Sequence, residues 1–435
     1  MKDGVADPIV TVPGLREASG LWLKVGLISF GGPAGQIAIL HEELVERRRW
    51  VSERSFLTAL NFCMLLPGPE AQQLATYLGL KLHGVRGALV AGGLFILPGA
   101  ALLFVLAWLA AAHGDWPPLQ AAFKGMLPIV VAIVVSAVWR IGKKTVKTPL
   151  ALALAGTSFV ALGFLGIGFP WIIAAAILTG LLADRAGMRL GGAGQALAEP
   201  VLGRPLSPAR EFSRVAAYTL GFSLLWIGPV TLALLIGGQR PFADIATFFT
   251  RAAFVTFGGA YAVLPFVSQG AVAHYGWLSR PEMVHGLALA ETTPGPLILV
   301  TQYVGFFADW NAALAGEAGQ LTPLAAAALA AALTTWVTFL PCFYFVLVGA
   351  PWVERLAANR RAHAALSGVM AAVVGVIATL ALVIAKEAFL PAGKVDAWAI
   401  AVALAALVAA MRFKISPVWL VAAGAALGIG RSLLG

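Results

Sequence analysis

Three short motifs occur twice in this chain, in one ungapped register. Phe30-Gly31-Gly32 returns as Phe257-Gly258-Gly259, Trp50-Val51-Ser52 as Trp277-Leu278-Ser279, and Pro67-Gly68-Pro69 as Pro294-Gly295-Pro296, each at an offset of 257 − 30 = 227 residues. Glycine pairs, tryptophans and a Pro-Gly-Pro triplet are too uncommon to align this way by accident, and a fixed period marks an internal duplication. Farther on, Pro98 pairs with Pro341 and Gly125 with Gly368 at 341 − 98 = 243, which places an inserted loop in the second copy near residues 308–323. The copies cover about residues 14–184 and 241–434, joined by a segment, 185–240, that holds a polar, arginine-containing linker and one further apolar stretch over 215–237.

Composition fixes the medium. Hydrophobic residues make up 60% of the chain and charged ones 11%, against roughly 45–50% and about 25% in soluble domains. Apolar runs such as 88–112, 151–165 and 397–411 approach the roughly 20 residues that cross a bilayer. The expectation is an all-α, polytopic integral membrane protein. Its formal charge of +10 falls mostly in short gaps between apolar runs, where it marks topology rather than a nucleic-acid partner. Residues 1–21 lack the apolar stretch of a signal peptide, so the N-terminus is expected in the cytoplasm. Two cysteines and six scattered histidines give no disulfide framework and no metal site, and no cofactor motif is found. Gly142-Lys143-Lys144-Thr145 lacks the spacing of a nucleotide-binding loop.

One extra span between the copies would turn the second upside down, and the loop charges reverse as that requires. Arg140, Lys143, Lys144 and Lys147 face a counterpart with only Lys386 beside Glu387; 110–118, without Lys or Arg, faces Arg355, Arg360 and Arg361; the uncharged 166–170 faces Arg412 and Lys414. An inverted-topology repeat follows, as in many secondary transporters. Four ordinary helices are expected after the motifs in the first copy, over 87–112, 119–141, 149–166 and 168–184. The two elements before them are broken, and the basic flanks of the Pro-Gly-Pro element, Arg47 to Arg49 and Arg54 before it and Lys81 and Arg86 after it, suit either a re-entrant hairpin or two full spans. Both readings put the C-terminus outside.

The breaks are where chemistry is expected. Proline removes a backbone donor and glycine tolerates positive φ, so Gly31, Gly32, Pro67, Gly68, Pro69, Gly258, Gly259, Pro294, Gly295 and Pro296 end one half-helix and begin another. Each new helix start presents amide N–H groups and a positive dipole end, a ready anion site; a packing kink is the plain alternative. Lys24 and Arg251 share the 227 offset and lie seven residues ahead of their glycine pairs, on the same helix face, which suits either a dianion or snorkelling to the interface. Glu70 follows the first Pro-Gly-Pro and Glu291 precedes the second, making both candidates for proton coupling, with plain dipole partnership as the alternative. Asn61, Gln72, Gln73, Thr292, Thr293 and Gln302, with Tyr77 and Tyr303, are second-choice polar groups, since interhelical bonding accounts for most such residues. The stretch from His41 to Trp50 reads as an amphipathic interfacial segment.

At these motifs the sequence resembles the chromate ion transporter family in its long, two-domain bacterial form. The matching stretches are FGGPAGQIAILHEELVERRRWVSE from Phe30, LNFCMLLPGPEAQQLATYLG from Leu60, FGGAYAVLPFVSQGAV from Phe257 and LAETTPGPLILVTQYVGF from Leu289. The resemblance implies a secondary exporter of chromate in the inner membrane, driven by a proton or potential gradient, with chromate resistance as outcome. It carries over to the two glycine-pair and two Pro-Gly-Pro elements, without a ligand list. Chromate is a tetrahedral dianion like sulfate, and these residues suit both. An uncoupled anion channel and a membrane-embedded reductase are the competing classes; the second lacks thiol pair, haem ligands and dinucleotide fingerprint. A homodimer is left open.

Overall fold

A computed structural model describes residues 13–30, 32–188, 190, 208–237, 241–317, 321–353, 356 and 359–434. Arg189, Arg204 and Arg355 lie outside them, and so does Gly31. The described residues are helical and contain no strand. Six helices are long and apolar enough to cross a membrane, by length and composition: Glu70–Ala112, Pro117–Thr145, Glu211–Gly237, Pro323–Trp352, Arg360–Phe389 and Pro417–Leu434. This is an all-α, multi-pass membrane protein.

The first copy opens with α1 (Leu15–Ile28), α2 (Gly32–His41) continued by a π turn (Glu42–Arg47), and α3 (Glu53–Leu65). The second opens with α9 (Phe242–Val255), α10 (Ala260–Ser268), its π turn (Gln269–His274) and α11 (Arg280–Thr292). Both bounds of α1, α3 and the first π turn recur 227 residues later, so the duplication extends to helix geometry. After these come α4 (Glu70–Ala112), α5 (Pro117–Thr145), α6 (Pro149–Gly163) and α7 (Phe169–Arg185), then the connecting α8 (Pro208–Gly237). The second copy continues with α12 (Val300–Leu314), α13 (Pro323–Gly349), α14 (Arg360–Phe389), α15 (Ala397–Arg412) and α16 (Pro417–Leu434).

The helix expected from residue 87 is the second arm of α4, whose helical geometry fails at His83 and Gly84, the latter at φ 63°. That conformation costs glycine little, and it folds the 70–82 arm back so that Gly79 and Gly87 meet backbone to backbone. In the second copy the same reversal falls between α12 and α13.

Each broken element is a hairpin. Lys81 at the end of the 70–82 arm donates to Ser55 Oγ at the start of α3 (2.7 Å), and Asn311 near the end of α12 donates to the Trp277 carbonyl ahead of α11 (3.0 Å). Both Pro-Gly-Pro triplets therefore sit at hairpin tips. Arms of 13 residues span about 20 Å, short of the roughly 30 Å of a bilayer core. The α1–α2 pair also doubles back: Lys24 on α1 reaches Glu43 in the π turn (2.7 Å) and Arg48 lies 3.6 Å from Glu17 at the start of α1.

Helices exchange partners between the copies. Gly125 on α5 packs directly on Gly424 and Gly428 of α16, while Gly368 on α14 packs on Ala176 and Gly180 of α7. Only glycine lets backbones approach so closely. The scaffold of each copy is thus completed by the other.

Glu43 anchors the base of the first hairpin, outside the spanning helices. Its side chain is 5% exposed and accepts from Lys24 (2.7 Å) and Arg47 (2.9 Å), with Arg48 at 3.6 Å. The Lys24 hydrogen bond, opposed by burial and aided by the three cations, holds its carboxyl below the usual value of 4.5. A depressed carboxylate stabilises the fold above its unfolded value and loses that contribution as pH falls through its folded one. Glu43→Gln is therefore expected to cost about 1–2 kcal/mol at pH 7, discounted because the cations are half exposed. In thermal unfolding of the detergent-solubilised protein the deficit should shrink as pH falls below 4.5 and through the lowered carboxyl value; a deficit unchanged across pH refutes this.

Candidate functional site

Four hairpin tips meet at the centre of the molecule, two from each copy. Their turns run through glycines with positive φ: Gly32 at 74°, Gly68 at 128°, Gly258 at 80°, Gly259 at 91° and Gly295 at 91°. An L side chain at any of these would be strained. Each Pro-Gly-Pro tip bonds to the glycine-pair tip of the other copy. Gly68 N–H donates to the Thr256 carbonyl (2.7 Å), and Gly295 N–H donates to the Ser29 carbonyl (2.9 Å). These bonds are equivalent under the repeat, because both donor and acceptor positions differ by 227 residues. The glycine-pair tips also touch, with Pro33 against Gly259 and Tyr261 against Gly32.

The expectation of free amides at the breaks is corrected in part: the Gly68 and Gly295 amides are engaged across the copies. The helix starts beside them are not capped by side chains. Pro69, Gly259 and Pro296 precede α4, α10 and the short turn before α12 without supplying a side-chain hydrogen bond. A helix start left so has backbone donors and a positive dipole end for an anion.

The profile of the chromate transporter family matches residues 17–181 and again residues 243–429. The chain belongs to the chromate transporter family. It is 34% identical over 369 residues to the chromate transport protein of Pseudomonas aeruginosa, covering 84% of this chain and 80% of that one. It is 28% identical over 416 residues to the chromate transport protein of Cupriavidus metallidurans, covering 95% and 92%. An uncharacterized Bacillus subtilis transporter, YwrA, matches over 157 residues at 27% identity, which is 88% of its own length but 35% of this chain. No solved structure matches the chain.

In this member of the chromate transporter family, the carboxylates named from sequence sit by the tips. Glu291, buried, accepts a hydrogen bond from Tyr261 Oη (2.7 Å). Glu70 opens the helix that follows Pro69. Gln73 donates to the Pro67 carbonyl (2.7 Å) and its Oε1 is buried without a partner, as is that of Gln72, whose Nε2 bonds Thr76 (3.0 Å). Gln302 is bound to the Ala100 carbonyl (2.9 Å), a tie between α12 and α4. Thr292 and Thr293 donate to carbonyls of their own helix, and Asn61 is half-buried on α3. Tyr303 packs over Gly286, and Tyr77 packs on Phe62.

Lys24 and Arg251 are not brought together. Both side chains are exposed on the outer faces of α1 and α9, and Lys24 is taken by Glu43. A heptad spacing puts cation and tip on one helix face, but it does not say what packs against that face.

Two tip residues escaped the sequence reading. Gln36 Nε2 donates to the Gly295 carbonyl (2.6 Å) and, more weakly, to that of Ser29 (3.4 Å), tying the first glycine-pair tip to the second Pro-Gly-Pro tip. Tyr261 holds Glu291. Their repeat partners are Val263 and Ala34, so both break the register that drew attention to the others.

Proposed function

We propose that this chain is a secondary transporter that carries chromate out of the cell across the inner membrane, with the four hairpin tips as its binding site. The single observation that carries this reading is the reciprocal pair of tip bonds, Gly68 to Thr256 and Gly295 to Ser29. Two backbone donors, one per half, are held by carbonyls that a tetrahedral dianion can replace, beside helix starts whose dipoles favour negative charge. Release of one bond opens the site to one side of the membrane and release of the other opens it to the opposite side. The halves, 14–184 and 241–434, act as inverted repeats joined through α8, with the N-terminus cytoplasmic and the C-terminus outside. The names of the Pseudomonas and Cupriavidus relatives point to chromate as cargo, and the paired N–H groups suit its charge and shape.

The test is uptake of chromate by everted vesicles at set pH and membrane potential, with sulfate as competitor. Energised uptake above that of vesicles lacking the protein is expected. Flux indifferent to proton gradient and potential would make the protein an uncoupled channel, and no uptake at all would end the exporter reading.

A further inference from the structure

We propose that Gln36 is a one-sided latch: it holds the second Pro-Gly-Pro tip against the first copy, so that the tips begin to part at the other contact, Gly68 with Thr256. The two backbone tip bonds are equivalent under the repeat, and backbone alone would leave the two contacts matched. Gln36 removes that balance.

Its hydrogen bonds show how. Gln36 lies in the second turn of α2, is 2% exposed, and its Nε2 donates to the Gly295 carbonyl at 2.6 Å. Gly295 is therefore gripped at both of its polar groups, the N–H by the Ser29 carbonyl and the carbonyl by Gln36. The same Nε2 lies 3.4 Å from the Ser29 carbonyl, so one side chain braces the turn of its own copy and the tip of the opposite one. At the other contact the register puts position 36 + 227 = 263, and Val263, buried on α10, has no side-chain donor. Among the described residues, Gly68 is held across the copies by its N–H alone. Gln73 bonds the Pro67 carbonyl (2.7 Å), but that tie stays within one hairpin.

The difference gives the molecule a resting state. Parting Gly295 from Ser29 strips a buried amide of its acceptor, and parting Gly68 from Thr256 does not. A buried donor left unpaired biases such an equilibrium by about tenfold. The free protein therefore waits with the Gly68 contact ready to part, and a dianion that replaces the Thr256 carbonyl at the Gly68 amide enters there. The Gly295 contact parts only when Gln36 lets go. The latch rests on the reading above, in which release of each tip bond opens one side of the membrane, and it makes the two sides unequal.

Thiol modification of the purified full chain in detergent tests it. Cys342 Sγ lies 2.8 Å from a Cβ placed on Gly68, and Leu299 Cδ1 lies 3.4 Å from one placed on Gly295, so each position reports on one tip. The native Cys342 thiol is followed in Cys63→Ala, and the thiol introduced by Leu299→Cys is followed with both Cys63→Ala and Cys342→Ala. Rates with a small neutral methanethiosulfonate, divided by those of the same thiol in the unfolded chain, measure how often each contact parts. Gln36→Leu is expected to speed modification at position 299 about tenfold and to leave Cys342 within about twofold of its native rate. General loosening of the fold would speed both alike; that result, or a rate at 299 within about twofold of native, overturns the latch. Gln36→Met, unbranched and equally without a donor, repeats the measurement where leucine disturbs folding. The latch pattern together with no energised vesicle uptake would sink the transport reading and leave the latch standing, whereas energised uptake with both thiol rates indifferent to Gln36 does the reverse.

Discussion

Gly68→Ala is expected to lower chromate uptake about a hundredfold, and Gly295→Ala about tenfold, with the protein still present in the membrane. Both residues hold positive φ, 128° and 91°, where an alanine costs roughly 1–3 kcal/mol. The surroundings then separate them. A Cβ at Gly68 would lie 2.7 Å from Gln73 Nε2 and 2.8 Å from Cys342 Sγ, whereas one at Gly295 would lie 3.4 Å from both Leu299 Cδ1 and the Phe95 carbonyl. The first demands movement of the glutamine that holds the tip through the Pro67 carbonyl; the second needs only a small adjustment. Strain at either glycine also shifts an amide that bonds to the opposite half. Since each 1.4 kcal/mol is about tenfold in rate, the combined cost at Gly68 reaches the larger figure. Uptake rates normalised to immunoblotted protein in the vesicles decide the matter, and a Gly68→Ala rate within about twofold of native would mean that the tip turns do not govern transport.

The duplication made the tips legible. Gly-Gly and Pro-Gly-Pro pairs at one offset announced where backbone breaks fall, and those breaks are the four tips. Gly84, by contrast, carries no such mark in the second copy, where the corresponding residue is Asn311. The bonds between tips were out of reach for another reason: Gly68 and Thr256 belong to different copies, and local pattern says nothing about which tip meets which. The same limit applies to Lys24. Its spacing to the glycine pair is correct, but Glu43, also part of the broken element, folds back to take its charge. Gln36 and Tyr261 were missed because a search for duplicated residues favours what the halves share. Polar groups at this site are distributed unequally, with Gln36, Glu70, Gln72 and Gln73 from the first copy and Tyr261 and Glu291 from the second. An anion moving through such a site meets different partners from each half, and carboxylates occur where the repeat alone would place leucine or methionine, since Glu70 corresponds to Leu297 and Glu291 to Met64.

Those two carboxylates carry the second large prediction. Glu70→Gln and Glu291→Gln are expected to reduce gradient-driven chromate uptake by more than about tenfold and to flatten its pH dependence, while leaving dianion binding intact or tighter. Glutamine keeps the size of glutamate and an oxygen that accepts from Tyr261, so the 2.7 Å contact at residue 291 survives. What it removes is the negative charge and the capacity to exchange a proton. Without that charge an arriving anion no longer meets a like charge beside the tips, which favours binding; without the proton exchange, anion movement loses its link to the gradient. Measuring dianion binding and energised uptake on the same preparations therefore separates a coupling carboxylate from one that only props up a helix start: the structural role predicts losses of binding and uptake together. If both glutamine variants transport at native rate with the native pH profile, neither carboxylate couples protons to the anion.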